Sequence, residues 1–401
     1  MKIKKLDIAI VGAGPVGLSF ALSLANSGLS VAILEKQAYE NIRNPNFDGR
    51  DIALTHFSKS QLKEWGVWQH LPAEQIHPLK KAQVIDGQLF SRDQKHSDSL
   101  KFEGADNLDT PLGFLVANHQ IRKALFKQIK QHSHIQLLCE QEVQTIKTSL
   151  YSSLIETKSQ TLEAKLIVAS DSRFSATRRM MGLSAKMKDF GKLMIVCNMQ
   201  HTLSHMNTAQ ECFQYERTCA ILPLGEGYSS IVLTLNASEA DRLLNLTNES
   251  FSEEVETMLD SRLGKMSLLG ERNAYPLIGV MSNRFIAERF ALIGDAAVGM
   301  HPVTAHGFNL GLSSVSTLAN LIIKADSANK SIASQRLLLE YEARHKLLSK
   351  PLYDATNAIV ALYTNKTPMA KVIRKLGIKI GNRLPPFQHL VTKRLTRISK
   401  L

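Results

Sequence analysis

Leu6-Asp7-Ile8-Ala9-Ile10-Val11-Gly12-Ala13-Gly14-Pro15-Val16-Gly17 is the stretch that decides the fold. Residues 6–11 are almost continuously apolar, as in a parallel strand buried on both faces. Residues 16–25 are apolar at helical spacing, Gly28 stops that helix, and residues 30–34 resume as a strand ending at Glu35. The spacing predicts a β-α-β unit with its two strands side by side in one sheet. Between strand and helix the glycines fall as G-x-G-x-x-G. Gly12 permits the tight turn, Gly14 lets a pyrophosphate approach the backbone beside Ala13 and Pro15, and Gly17 lets helix and strand pack closely. The helix N-terminus then faces the phosphate charge. Glu35, followed by Lys36, lies 18 residues after Gly17, where a carboxylate accepts hydrogen bonds from ribose hydroxyls and disfavours a 2′-phosphate. The nucleotide is read as FAD or NAD rather than NADP.

Working outward, 401 residues predict two or three domains of ordinary globular composition, with 44% hydrophobic and 21% charged residues. Disorder, collagen and disulfide scaffolds are excluded. Cys139, Cys197, Cys212 and Cys219 form no Cys-x-x-Cys pair and have no histidine at zinc-ligand spacing, so they read as reduced, buried thiols and not as a metal site. The Met1-Lys2-Ile3-Lys4-Lys5 start leads into a glycine-interrupted strand without a cleavage site, which argues against secretion. No apolar run is long enough to cross a bilayer. A cytoplasmic protein is expected, with any membrane contact peripheral.

Further elements follow in order. A helix is expected from about Ser58 to Trp68, small antiparallel strands over 72–109, a helix over 118–131, strands over 135–146 and 161–170, and a second sheet over 186–275. Leu292-Ile293-Gly294-Asp295 ends another buried strand. After Met300-His301-Pro302, Gly307-Phe308-Asn309-Leu310-Gly311-Leu312 opens a long helix. A carboxylate at Asp295 suits a ribityl hydroxyl, and the second helix N-terminus suits negative charge on a reduced isoalloxazine ring. Two separated helix N-termini fit a long cofactor with a phosphate end and a ring end, which selects FAD.

These residues resemble the aromatic-ring flavin monooxygenases of the para-hydroxybenzoate hydroxylase fold over nearly the whole chain. Arg50-Asp51-Ile52-Ala53-Leu54 is similar to that family's arginine segment, Asp171 with Ser175 and Arg178 to its middle Asp-Gly motif, and Gly294-Asp295 to its third motif. His301-Pro302 followed by residues 307–312 resembles the ubiquinone-biosynthesis hydroxylases. The run 294–312, with Tyr341-Glu342-Ala343-Arg344 and Pro385-Pro386, looks most like the bacterial branch called 5-demethoxyubiquinol 5-hydroxylase. The sequence departs from the wider pattern at Ser172 (usually glycine), Val298 (often histidine), Ala305-His306 (often Gly-Gln) and Ser314 (often aspartate).

The resemblance implies an α/β fold of mixed α+β character: a Rossmann-like FAD-binding domain (1–71, 110–183 and 272–330), an inserted antiparallel-sheet substrate domain (72–109 and 184–271) and a basic helical C-terminal region (331–401). It implies that reduced FAD adds dioxygen and that the hydroperoxide transfers one oxygen to an electron-rich ring, with NAD(P)H as a possible electron donor. The substrate it implies is a polyprenylated ubiquinone precursor such as demethoxyubiquinol. Among candidate residues, His306 suits a hydrogen bond to the flavin edge or substrate oxygen as the one protein catalytic group, or it simply caps its loop. His301 reads as structural. Arg50 reaches the pyrophosphate or flavin, or pairs with Asp48 or Asp51 at the surface. Arg122 contacts the pyrophosphate or sits on a solvated helix face, and Val143 presents its backbone to adenine or is ordinary core. Asp171 ends an apolar strand, where a partnerless acid is costly, so it caps or binds. Asp295, Pro302, Gly307, Phe308 and Asn309 complete the cofactor set.

From Tyr341 onward, 13 basic residues face Glu342 and Asp354, so +11 of the net +13 lies in the last 61 residues. Met369, Val372, Ile373, Leu376 and Ile380 recur at helical spacing among lysines and arginines, and after Pro385-Pro386 the pattern repeats. Such basic amphipathic segments suit the inner face of an anionic membrane or a quinone-biosynthesis complex, or pack on the FAD domain with charges solvated. Nucleic acid is disfavoured, since no recognition motif or stacking platform accompanies the charge. The alternatives are a flavoenzyme of the same fold acting on a soluble aromatic and a non-catalytic FAD-binding subunit of a quinone-synthesis complex.

Overall fold

The computed structural model describes residues 4–86, 99–103, 110–214, 217–301 and 307–364, with 367 and 369. Pro302, His306 and the amphipathic pattern beyond residue 369 lie outside the described residues. The protein is a mixed α/β fold built on two eight-stranded sheets and a three-stranded one.

In the first sheet, Phe290–Leu292, Thr161–Ala169, Lys4–Val11, Val31–Leu34 and Ile135–Leu138 lie side by side and parallel. Ile8, Ala9, Ile10, Ala32, Ile33, Leu166, Ile167 and Val168 are fully buried, which is why these strands read as unbroken apolar runs. Pro15 starts the Pro15–Ser23 helix, where a missing N–H costs nothing. The helix is apolar around most of its circumference because the Asn118–Ile129 and Gly307–Ser327 helices pack on its outer side. The expected strand over 135–146 is two strands, Ile135–Leu138 and Val143–Thr148, separated by a turn in which Glu140 has φ 57°. The second of these forms a hairpin with Ser153–Thr157, whose partly exposed residues carry little apolar signal.

The second sheet is antiparallel apart from the pairing of Thr208–Phe213 with Lys81–Asp86. Its two 17-residue strands, Ala185–His201 and Met266–Ser282, pair along most of their length, with two register shifts. The second runs unbroken past residue 272, where the sequence sets a domain boundary. One face carries Ile195, Cys197, Met199, Cys212, Cys219, Ile231 and Leu233. It is covered by helices Ala237–Leu244 and Asn248–Met258, which deliver Ala240, Leu243, Phe251, Val255 and Met258. All four cysteines are free, and burial pushes the thiols of Cys197, Cys212 and Cys219 upward. Asp51–Leu54, Gly113–Ala117 and His77–Leu79 form the small sheet that lies between the two larger ones in the chain's course.

The 30-residue helix Gln335–Thr364 docks through Tyr341, whose hydroxyl donates to Leu292 O at 2.6 Å, and through the buried Glu342, which accepts from Phe285 N–H at 2.7 Å and from Arg284 and Lys346. No helix among the described residues is long and apolar enough to cross a membrane.

Candidate active site

The carboxyl ends of the parallel strands bring the sequence motifs together, the place where an open α/β sheet binds its ligand. Gly12 follows the first strand with φ +104°, and a Cβ there would lie 2.9 Å from Ser170 O. At Gly17 a Cβ would lie 2.0 Å from Gly12 O and 2.5 Å from Ser170 Oγ, so this glycine lets the helix seat on the turn. Gly14 differs: it precedes the helix with no side-chain cap, and a Cβ there would meet nothing within 4 Å. The open space at Gly14 and the free N–H groups of the helix start form a cradle for a phosphate.

Glu35 is buried, and both its oxygens are already engaged: Oε2 accepts from Ala13 N–H at 2.7 Å and Oε1 from Gln37 N–H at 2.9 Å. A carboxylate accepts about four hydrogen bonds, so lone pairs remain for ribose hydroxyls. Lys36 is exposed, and the Val143 side chain is buried core. Arg50 donates through Nη2 to Asp48 at 2.6 Å and lies over the Tyr275 ring, while Asn118 Nδ2 donates to the same Asp48 oxygen at 2.7 Å. Arg122, by contrast, is half-buried and donates no hydrogen bond among the described residues. Burial pushes its pKa down, and Asp48, Arg50 and Glu35 are close enough to act on it.

Asp171 Oδ2 accepts from Thr177 N–H at 3.1 Å, whereas its buried Oδ1 has no partner among the described residues. The neighbouring Ser172 adopts φ 142°, the backbone that the glycine of the resembled motif supplies without cost. The motif's geometry is thus kept by a residue that strains to hold it. Ser172→Gly is expected to raise stability by about 1 kcal/mol, the released strain exceeding the entropy cost and the lost bond from Phe174 N–H. A urea midpoint unchanged or lowered would show that no strain is held there.

Gly294 has φ +58°, and a Cβ there would press on Val16 at 3.0 Å; one at Gly311 would meet Val16 at 2.8 Å. Ser314, at the position often held by aspartate, accepts from Gly294 N–H at 3.2 Å and donates to Gly311 O at 2.6 Å, locking the helix to the motif. Asp295 pairs with Arg173 at 3.2 Å, a partner that the sequence reading did not single out. Buried Arg178 joins the middle and third motifs, donating to Ala296 O at 2.8 Å and Arg173 O at 3.1 Å. Gly307 faces open space, and Phe308 packs partly against the main core. The Asn309 side chain is taken up by the protein, accepting from Thr55 N–H and Ser58 Oγ and donating to Ala53 O. His301 is buried edge-on to Phe190 at 4.9 Å, and burial pushes its pKa down to about 4, in keeping with a structural role.

The family model described as FAD binding domain matches residues 5–356. Ubiquinone hydroxylase UbiM of Neisseria meningitidis is 44% identical over 97% of this chain and 84% of that protein. Ubiquinone hydroxylase UbiL of Rhodospirillum rubrum is 31% identical over 99% of this chain and 91% of that protein. The crystal structure of p-nitrophenol 4-monooxygenase PnpA from Pseudomonas putida superposes with a TM-score of 0.78 at 16% identity, covering 99% of this chain and all of that one, a likeness of fold. With the family model matched along most of its length and two ubiquinone hydroxylases similar over nearly all of it, this chain belongs to the ubiquinone-hydroxylase family of FAD-dependent monooxygenases.

Proposed function

We propose that the chain hydroxylates the aromatic ring of a polyprenylated ubiquinone precursor, with demethoxyubiquinol the expected substrate, NAD(P)H the reductant and dioxygen the source of the oxygen atom. The observation that carries this reading is the near-full-length likeness to two proteins named ubiquinone hydroxylases. The fold alone does not distinguish ring substrates. Bound FAD would supply the electrons and activate dioxygen for transfer of one oxygen to the ring. In this reading Gly12, Gly14 and the first helix N-terminus hold the pyrophosphate, Arg122 balances its charge, and Glu35 holds the ribose. Asp295, fixed by Arg173, holds the ribityl chain, and the Gly307–Ser327 helix N-terminus faces the ring end. The first sheet's unit thus binds the cofactor, and the second sheet supplies the substrate wall. The +11 charge of the last 61 residues supports docking at an anionic membrane face, where a prenyl tail resides.

The test is a quinone-lipid mass profile of cells lacking the gene, complemented with intact protein or with Asp295→Ala. A precursor short of one ring oxygen should accumulate, vanish on complementation and persist with Asp295→Ala. An unchanged profile in a strain without a redundant hydroxylase would redirect the reading to a soluble aromatic. Rescue by a variant that has lost FAD would instead favour a scaffold.

A further inference from the structure

The second sheet has a face opposite its helix-covered one, and four buried polar atoms on or against that face have no hydrogen-bond partner among the described residues. They are Asp51 Oδ2, Asn198 Oδ1, Ser230 Oγ and Asn273 Nδ2. Four separate strands bring them together. Asn198 and Ser230 are directly cross-strand, and Asn273 lies opposite Val196 on the other neighbouring strand. The segment before Asp51 lies against this row: a Cβ on Gly49 would sit 3.0 Å from Asn273 Nδ2, and Tyr275 donates its hydroxyl to Asp48 O at 2.7 Å. The Ser230 hydroxyl is near enough to Asp51 to favour the charged carboxylate, although neither Ser230 Oγ nor Asp51 Oδ2 reaches a closed hydrogen bond. Around them the same face presents Met194, Val196, Ala220 and Val232, with Thr218, Thr234 and Glu211 further along it.

Buried polar atoms are normally paired, and four unpaired ones gathered on one sheet face mark a place suited to receive a ligand's oxygens. We propose that Asp51, with Ser230, Asn198 and Asn273, receives the oxygen substituents of the substrate ring, and that Asp51 accepts the hydrogen bond of its phenolic O–H. As oxygen is added to the ring, the phenolic O–H breaks, its electron pair stays on the ring oxygen, and the proton passes to the Asp51 carboxylate. This rests on the aromatic-ring reading above. The groups that act on Asp51 are Asp48 on its own segment and the neutral Ser230 on the sheet. Burial, with a smaller contribution from Asp48, raises the Asp51 pKa to about 6, so the acceptor is formed as pH rises through that value.

The test uses FAD-loaded full-length protein, with ortho-prenylphenol and its methyl ether as probes and the flavin absorbance change as the readout. Above pH about 6 the protein should prefer the phenol by roughly ten- to a hundredfold, the scale of a hydrogen bond to a charged group. The preference should shrink below that pH. Asp51→Asn should keep its FAD and show a small, pH-independent preference. Ser230→Ala, which removes the hydroxyl that favours the charged Asp51 carboxylate, should move the transition to higher pH and serves if Asp51→Asn does not fold. An Asp51→Asn protein with the intact preference and pH profile overturns the proposal, as does equal binding of both probes by the unmodified protein, while leaving the ring-hydroxylase reading in place. Binding of neither probe removes that reading and the proposal with it.

Discussion

Gly17→Ala is expected to unfold the nucleotide-binding turn and abolish FAD retention, whereas Gly14→Ala is expected to keep the fold and lose the nucleotide. The two glycines stand three residues apart in one motif, and their surroundings are opposite. At position 17 the added carbon would fall 2.0 Å from Gly12 O and 2.5 Å from Ser170 Oγ, with backbone as the nearer obstacle. Backbone at the end of a fully buried strand cannot swing aside as a flexible side chain can, so the helix must lift from the sheet. Overpacking costs typically 1–3 kcal/mol and more where nothing relaxes, so about 3 kcal/mol is expected for alanine and more for valine. At position 14, φ is −68° and a Cβ would meet nothing, so the stability loss should stay within about 1 kcal/mol, the scale of a weakened helix cap. The methyl would, however, fill the space through which a phosphate reaches the helix N–H groups, and FAD affinity should fall at least roughly tenfold. Urea denaturation of the apoprotein reads the first effect, and flavin fluorescence titration the second. Equal stability losses in the two variants would mean that Gly14 is a folding element and would remove the argument for a phosphate at that point.

That contrast also shows what a sequence can carry. The glycine turn and Glu35 were legible because a β-α-β unit is local: its strand, turn, helix and acid lie within residues 4–35. Asp171 stood out by a physical rule, since an acid ending a buried strand needs a reason, and in the fold one of its oxygens accepts from Thr177 N–H while the other has no partner among the described residues. Ser172 stood out as a departure, but its φ of 142° is a property of the folded backbone and leaves no mark in the residue type. The helices Ala237–Leu244 and Asn248–Met258 were missed although Ala240, Leu243 and Leu244, then Phe251, Val255 and Met258, recur at helical spacing, because both are short and lie between strands whose alternation dominates the segment. Arg173 reads as one more surface cation until folding sets Asp295, 122 residues away, beside it. Asp51, Asn198, Ser230 and Asn273 come from four strands spread along the sequence, and no periodicity links them. What the sequence holds poorly is contact between distant segments, and the substrate side proposed above rests almost wholly on such contacts.

Arg178→Leu is the second substitution with a large expected effect, because one buried guanidinium joins two motifs that the chain separates by over a hundred residues. Its two terminal nitrogens donate to Ala296 O at 2.8 Å and Arg173 O at 3.1 Å, and the residue is only 2% exposed. Leucine fills most of the volume but leaves both carbonyls without these donors, at a cost of about 3–5 kcal/mol for two hydrogen bonds from a charged group. The nearby Asp171 would also lose its electrostatic partner. Lysine should recover less than half of the loss, since a single ammonium cannot reproduce the planar fork that spans two acceptors. The effect should extend to the cofactor: Ala296 adjoins Asp295, Arg173 pairs with Asp295, and a Cβ at Gly299 would press on Arg173 at 3.1 Å, so loosening Arg178 frees the whole corner. FAD should dissociate faster from Arg178→Leu even at temperatures where the protein stays folded, and from Arg178→Lys at an intermediate rate. A variant with an unchanged urea midpoint but rapid FAD loss would separate the two roles and make Arg178 a cofactor-positioning residue alone. Unchanged stability together with unchanged FAD retention would mean that Ser314 and the packing of Gly294 and Gly311 on Val16 hold the third motif without it.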